Sequence, residues 1–181
     1  MVYSEIIKLS KTYTPPKSGI YKIICIGGGG AGYADVTTAA ITSEAGKTTS
    51  FGTYISANGG ASGENVVNLN GTGTASNLQT TERGGFDSGK NGFDGACAYG
   101  ASSGAAIGYG YGASGGAYAT NNTKYISGQA GEVASIIMEL DKSDVVACTI
   151  GAGGKGSAGS YAYAWGGADG AIIVQYLGES M

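Results

Sequence analysis

The sequence predicts an all-β fold: a single-domain β-sandwich of about six to eight strands, with long glycine-rich loops clustered at one end. Three observations carry that prediction. Two apolar runs stop abruptly in glycine: Ile20–Ile26 meets Gly27-Gly-Gly-Gly-Ala-Gly32, and Val145–Ile150 meets Gly151-Ala-Gly-Gly-Lys-Gly156. Glycine supplies 36 of 181 residues, but proline only Pro15 and Pro16, which excludes collagen and proline-rich disorder. Apolar residues elsewhere recur with the period of two expected of strands.

The first strand is expected over 4–13, through Ile6, Ile7, Leu9 and Tyr13, closed by the Pro15-Pro16 turn within residues 1–18. Residues 20–26 are apolar on both faces except at Lys22, as befits a central strand between two layers. Residues 33–45 lack glycine; one short helix is conceivable there, but threonine and a weak apolar stripe argue against it. Residues 48–57 set Phe51, Thr53, Ile55 and Ala57 against Gly52, Tyr54 and Ser56, a strand pattern that Asn58-Gly59-Gly60 would end as a turn.

From 59 to 131 Gly, Ala, Ser, Asn and Tyr take over. Small residues recur every third position at Gly89, Gly92, Gly95, Ala98, Ala101 and Gly104. Three is the period of polyproline II geometry, in which bare edges let backbones approach and hydrogen-bond. A packed polyglycine layer, a flexible linker and irregular ordered loops are the competing readings. Residues 132–140 place Ala134, Ile136, Met138 and Leu140 on one face; with Asp141–Asp144 as a turn and 145–150 returning, they predict a β-hairpin. A helix over Val133–Asp144 is the alternative. A second glycine loop, 151–170, leads to the last strand, 171–177. Ile23, Ile136, Val146 and Ile173 are expected to meet in one interior.

Composition excludes several functions. A net charge of −3 without a basic cluster argues against nucleic acid. No apolar run approaches the ~20 residues of a membrane span. The N-terminus lacks the basic and apolar regions of a signal peptide, so synthesis in a cytosol is expected. There is no histidine, and Cys25, Cys97 and Cys148 are an odd set without C-x-x-C spacing. Buried apolar thiols are the expectation, with no metal site, no Ser-His or Cys-His nucleophile and no enzymatic activity.

Gly27-x-Gly29-x-x-Gly32 and Gly151-x-Gly153-x-x-Gly156 both satisfy the dinucleotide fingerprint, but neither precedes a convincing helix, so no cofactor is expected. Gly46-Lys47-Thr48 ends like a phosphate loop, but Ile41 stands where that loop needs glycine. Asp87, Asp94 and Asp169 sit beside glycine, where aspartate usually serves a turn.

The aromatic residues are more informative. Tyr99, Tyr109, Tyr111, Tyr118, Tyr161, Tyr163 and Trp165 lie in loops of small residues. Such rings give rigid contact area with polar handles and stack on sugars. The same rings could instead pack over the glycine backbone as spacers. Tyr109, Tyr111, Tyr118, Tyr161, Tyr163 and Trp165 are the candidate receptor or partner contacts.

Four stretches together resemble the glycine-rich domain of tail-fibre and receptor-binding proteins of tailed bacteriophages. They are Gly19–Gly32, Thr48–Gly60, Val146–Gly156 and Gly167–Val174, and the likeness runs from about residue 5 to 177. The resemblance implies a virion protein, made without a signal peptide in the host bacterium, that binds host cell-surface glycan or protein. It also implies other virion proteins as partners and a homotrimer or fibre attachment. A structural virion subunit, such as a capsid decoration, head fibre or baseplate component, is the alternative. Related T-even-type adhesins stack polyglycine helices and display loops to the host; this chain has a fuller strand framework and shorter glycine repeats. Fibre domains of this kind commonly end a long stalk, so an anchoring protein is expected here.

Overall fold

A computed structural model describes residues 3–35, 43–62, 81–83, 115–117, 124–126, 128–156, 162–164 and 166–179. In chain order its strands are β1 (Ser4–Ile7), β2 (Lys11–Tyr13), β3 (Gly19–Ile26), β4 (Tyr33–Asp35), β5 (Thr49–Phe51), β6 (Ile55–Ala57), β7 (Thr81–Arg83), β8 (Gly115–Ala117), β9 (Lys124–Ile126), β10 (Glu132–Leu140), β11 (Val146–Thr149), β12 (Ala162–Ala164) and β13 (Ala171–Gly178). No helix occurs among the described residues, so the fold is all-β. Two antiparallel sheets form the sandwich, ordered β1-β13-β3-β10-β7 and β2-β11-β5-β6. Two short ribbons, β4–β9 and β8–β12, stand apart from them.

β3 is the centre of the first sheet, as its apolar run requires. Tyr21, Ile23 and Cys25 point inward and are fully buried, while Ile20, Lys22, Ile24 and Ile26 lie half-buried on the outer face. The interior is closed by Ile7, Leu140, Ile172 and Val174 from this sheet and by Tyr13, Phe51, Ala57, Val146 and Cys148 from the other. Tyr13 and Phe51 pack with ring centroids 5.8 Å apart, and the Tyr21 hydroxyl donates to Lys17 O at 2.8 Å.

Several predicted elements differ in detail. The strand expected over 4–13 is two strands in different sheets: β1 pairs with β13, and β2 crosses over to pair with β11. The strand expected over 48–57 is the hairpin β5–β6. Gly52 turns it with φ +54°, a left-handed conformation glycine adopts at little cost. Asn58-Gly59-Gly60 is then no turn; the chain runs straight on from β6. β10 and β11 are not a hairpin either. β10 bonds to β3 and β7, β11 to β2 and β5, so the Asp141–Asp144 turn arches from one sheet to the other. Leu140 and Val146, at its two ends, both face the shared interior. The helix over Val133–Asp144 is excluded by β10 itself. Ile23, Ile136 and Val146 do meet in the core, but Ile173 faces outward beside Ile24, and Ile172 and Val174 take the inner places.

The two cysteines among the described residues, Cys25 and Cys148, are buried and free. Burial, with the second thiol nearby, pushes Cys25 up to about 12; burial pushes Cys148 up to about 11. Cys97 lies outside the described residues, as do the period-three positions from Gly89 to Gly104.

Candidate functional site

Six strands of the sandwich run on past one end as extended glycine-rich columns. Residues 27–32 continue β3, 58–62 continue β6 and 151–156 extend beyond β11; 44–48, 128–131 and 166–170 lead back into β5, β10 and β13. The columns hydrogen-bond as a lattice with column 27–32 at its centre. Gly27 and Gly30 donate to Glu132 O and Gln129 O, Gly28 and Ala31 to Lys47 O and Glu44 O, and Gly29 to Ala168 O, all at 2.8–3.0 Å. Donors three residues apart reach the same neighbour, and successive donors reach different ones. That is the three-residue period of polyproline II geometry. The centre also accepts, from Gly60 N at Gly28 O and from Gly154 N at Gly29 O, each at 2.8 Å.

The outer columns bond to one another in turn: 129 to 61, 46 to 60, 47 to 152, 167 to 154. The period also appears in burial, because Gly151 and Gly154 are buried whereas Ala152 and Lys155 are exposed. Glycine is required by close approach. A Cβ on Gly30 would lie 2.0 Å from Ala61 O, a separation no side chain tolerates. Side chains seal the seam with the sandwich. Thr49 Oγ1, fully buried, accepts from Gly151 N at 2.9 Å; Glu132 accepts from Asn58 Nδ2 at 2.8 Å; Asp169 accepts from Gly153 N at 2.8 Å. Asp169 thus caps a backbone donor of a neighbouring column, sixteen residues away, rather than a turn of its own. Asp87 and Asp94 lie outside the described residues.

This geometry gives the first glycine fingerprint a purpose other than anion binding. Every N–H from Gly27 to Ala31 already donates to a protein carbonyl, and Gly27–Gly32 are buried. None of those five donors is free to cradle a pyrophosphate, and Gly32 leads into β4 rather than a helix.

Beyond the lattice the described chain forms the two ribbons. β4 follows column 27–32 and pairs with β9, which precedes 128–131; β12 precedes 166–170 and pairs with β8. Of the predicted contact residues, Tyr163 alone is among the described residues. Tyr163 lies in β12 with its backbone opposite Gly116; Tyr161 and Trp165 are its sequence neighbours, and Tyr118 follows β8. Pairing of β8 with β12 therefore brings together two of the segments that carry them. Tyr109, Tyr111, Tyr118, Tyr161 and Trp165 themselves lie outside the described residues. Sequence reasoning placed 27–32, 151–156 and 166–170 in glycine loops and 59–62 and 128–131 in the glycine-rich region 59–131, but read none of these as a column and gave 44–48 no such role. The signal for 44–48 was present: it is a short stretch with Gly46 that directly adjoins β5.

At the opposite end of the sandwich Tyr54, Val145 and Leu177 are exposed, and Ile6 and Ile137 are exposed on the outer face of the first sheet. Searches of protein-family models, curated proteins and solved structures return no match to this chain.

Proposed function

We propose that the protein is a component of a tailed-phage particle that attaches to the host surface through the loops at the glycine-built end. The observation that carries this reading is the lattice. It ties the six described columns at that end together mainly by backbone hydrogen bonds. Loop sequence is then free to carry aromatic contacts without affecting the base. Tyr109, Tyr111, Tyr118, Tyr161, Tyr163 and Trp165 are the proposed contacts for a host glycan or protein, and the protein acts by binding, not catalysis. The test is binding of purified protein to intact host cells, with Ala at Tyr161, Tyr163, Trp165 and Tyr118. Loss of binding with unchanged thermal stability supports the reading; full binding by the quadruple variant removes the aromatic part of it.

A second reading, a structural virion subunit, is favoured by the apolar residues away from that end. Tyr54, Val145 and Leu177 at the base, with Ile6 and Ile137 on the sheet face, suit attachment to another virion protein. A homotrimer would cover the same surface. Recovery of the protein from capsids that lack tails supports this second reading and counts against adhesion.

A further inference from the structure

The 58–62 column begins with a chemically labile pair. In Asn58-Gly59 the residue after the asparagine has no Cβ to shield its nitrogen, so that nitrogen can attack the asparagine side chain. The reaction needs only water. Gly59 N bonds to Asn58 Cγ, the Cγ–Nδ2 bond breaks, and ammonia leaves with the Gly59 amide proton. Water then opens the succinimide ring at either carbonyl, leaving aspartate or isoaspartate. The same dipeptide occurs at Asn70-Gly71 and Asn91-Gly92, which lie outside the described residues.

The lattice itself demands the labile glycine. A Cβ on Gly59 would lie 2.0 Å from Gly46 O in the neighbouring column, so a bulkier, protective residue does not fit. Burial gives no protection either, because Asn58 is exposed. What protects the pair is geometry. Ring closure requires the Asn58 side chain to swing over the Gly59 nitrogen and the peptide between them to turn toward it. Glu132 opposes the first motion. Its Oε2 accepts from Asn58 Nδ2 at 2.8 Å and from Asn58 N at 3.1 Å. One oxygen holding both donors folds the side-chain amide back toward the start of its own residue, away from Gly59. The lattice opposes the second motion. Asn58 O accepts from Glu132 N at 2.9 Å, Gly60 N donates to Gly28 O at 2.8 Å, and Gly59 lies against Gly46 between them.

We propose that Asn58 is a site of spontaneous deamidation that the folded column keeps closed, with the Glu132 carboxylate as its latch, and that its modification unlocks the column. Isoaspartate inserts one carbon into the backbone of a column whose partners recur every third residue. Gly60 N and Ala61 O then no longer both meet their partners, Gly28 O and Gln129 N. Aspartate keeps the backbone length but removes the Nδ2 donor and sets a second carboxylate against Glu132. Either product loosens the column at its root beside β6. The lattice thus carries its own point of chemical ageing, whatever its loops bind.

Peptide mapping by mass spectrometry tests this on the full chain, aged at neutral pH and physiological temperature, folded and in guanidinium chloride. Asn58 is expected to convert roughly tenfold or more slowly in the folded protein. Glu132→Ala is expected to speed conversion in the folded protein roughly tenfold, the rate equivalent of losing a hydrogen bond to a charged group. Equal rates folded and unfolded overturn the closed site, and a Glu132→Ala rate equal to that of the native chain overturns the latch. If that variant fails to fold, Glu132→Gln, which keeps the length and loses the charge, takes its place with the same expected direction. Asn58→Asp is expected to speed amide exchange at Gly60 while Ile23 stays slow; unaltered exchange at Gly60 overturns the unlocking.

Discussion

Replacing Gly30 by alanine places one methyl group where two columns touch. Its Cβ would lie 2.0 Å from Ala61 O and 2.6 Å from Ala61 C, whereas carbon prefers about 3.5 Å. The 58–62 column must retreat by about 1 Å or more. The bond from Gly60 N to Gly28 O, now 2.8 Å, then passes the hydrogen-bonding limit, and that from Gln129 N to Ala61 O, now 2.9 Å, is stretched. A buried group left unpaired costs ~1–3 kcal/mol. One bond lost and one weakened by about half, less the ~0.5–1 kcal/mol gained by replacing glycine in the unfolded chain, leaves a net loss of ~1–4 kcal/mol. That is a large part of the ~5–15 kcal/mol typical of a domain. The control is Gly166→Ala, in the same lattice, whose Cβ would meet nothing closer than Gly154 O at 3.2 Å. Urea unfolding followed by circular dichroism compares the two. A Gly30→Ala loss within ~1 kcal/mol of the control would refute the lattice reasoning.

Three further predictions concern the core. Ile172→Ala should cost ~2–5 kcal/mol and Ile173→Ala much less in the same assay, because only the former vacates the interior. Stability should fall as pH rises from about 8.5 toward about 12. Cys25 has a folded value raised to about 12 by burial, against ~8.5 unfolded. Its contribution is complete below the unfolded value and is lost above it, at up to ~1.4 kcal/mol per pH unit. Urea midpoints measured between pH 8 and 11 check this; a flat profile contradicts it. Iodoacetamide at pH 7.5 should label Cys25 and Cys148 in the native protein only as fast as it unfolds.

The fold class was legible because the apolar runs at 20–26, 132–140 and 171–177 are long and bounded by glycine. What escaped was decided by long-range partners. In Ala171-Ile-Ile-Val-Gln both faces of the strand are apolar, so periodicity could not tell Ile172 from Ile173; pairing with β3 chose the inner set. Asp141–Asp144 has the residues of a hairpin turn, and only the separate partners of β10 and β11 make it an arch. Gly52 looked like one side of a strand alternation until its positive φ turned the chain. The lattice is the extreme case. Gly27, Gly46, Gly60, Gly131, Gly154 and Gly167 lie far apart in sequence and carry no side chain, so no local pattern distinguishes a packed column from a linker. For the contact residues, the sequence gives residue type and loop context, and the described structure adds the pairing of β8 with β12.

The central claim is that the glycine segments are a rigid backbone-bonded extension of the sandwich rather than flexible loops. Native-state amide hydrogen exchange measures this directly. The account predicts that the amides of Gly28, Gly29, Gly30 and Ala31 exchange as slowly as those of Ile23 and Cys25 in β3. Exchange of those four at the rate of an unstructured chain, with β3 still protected, would contradict it.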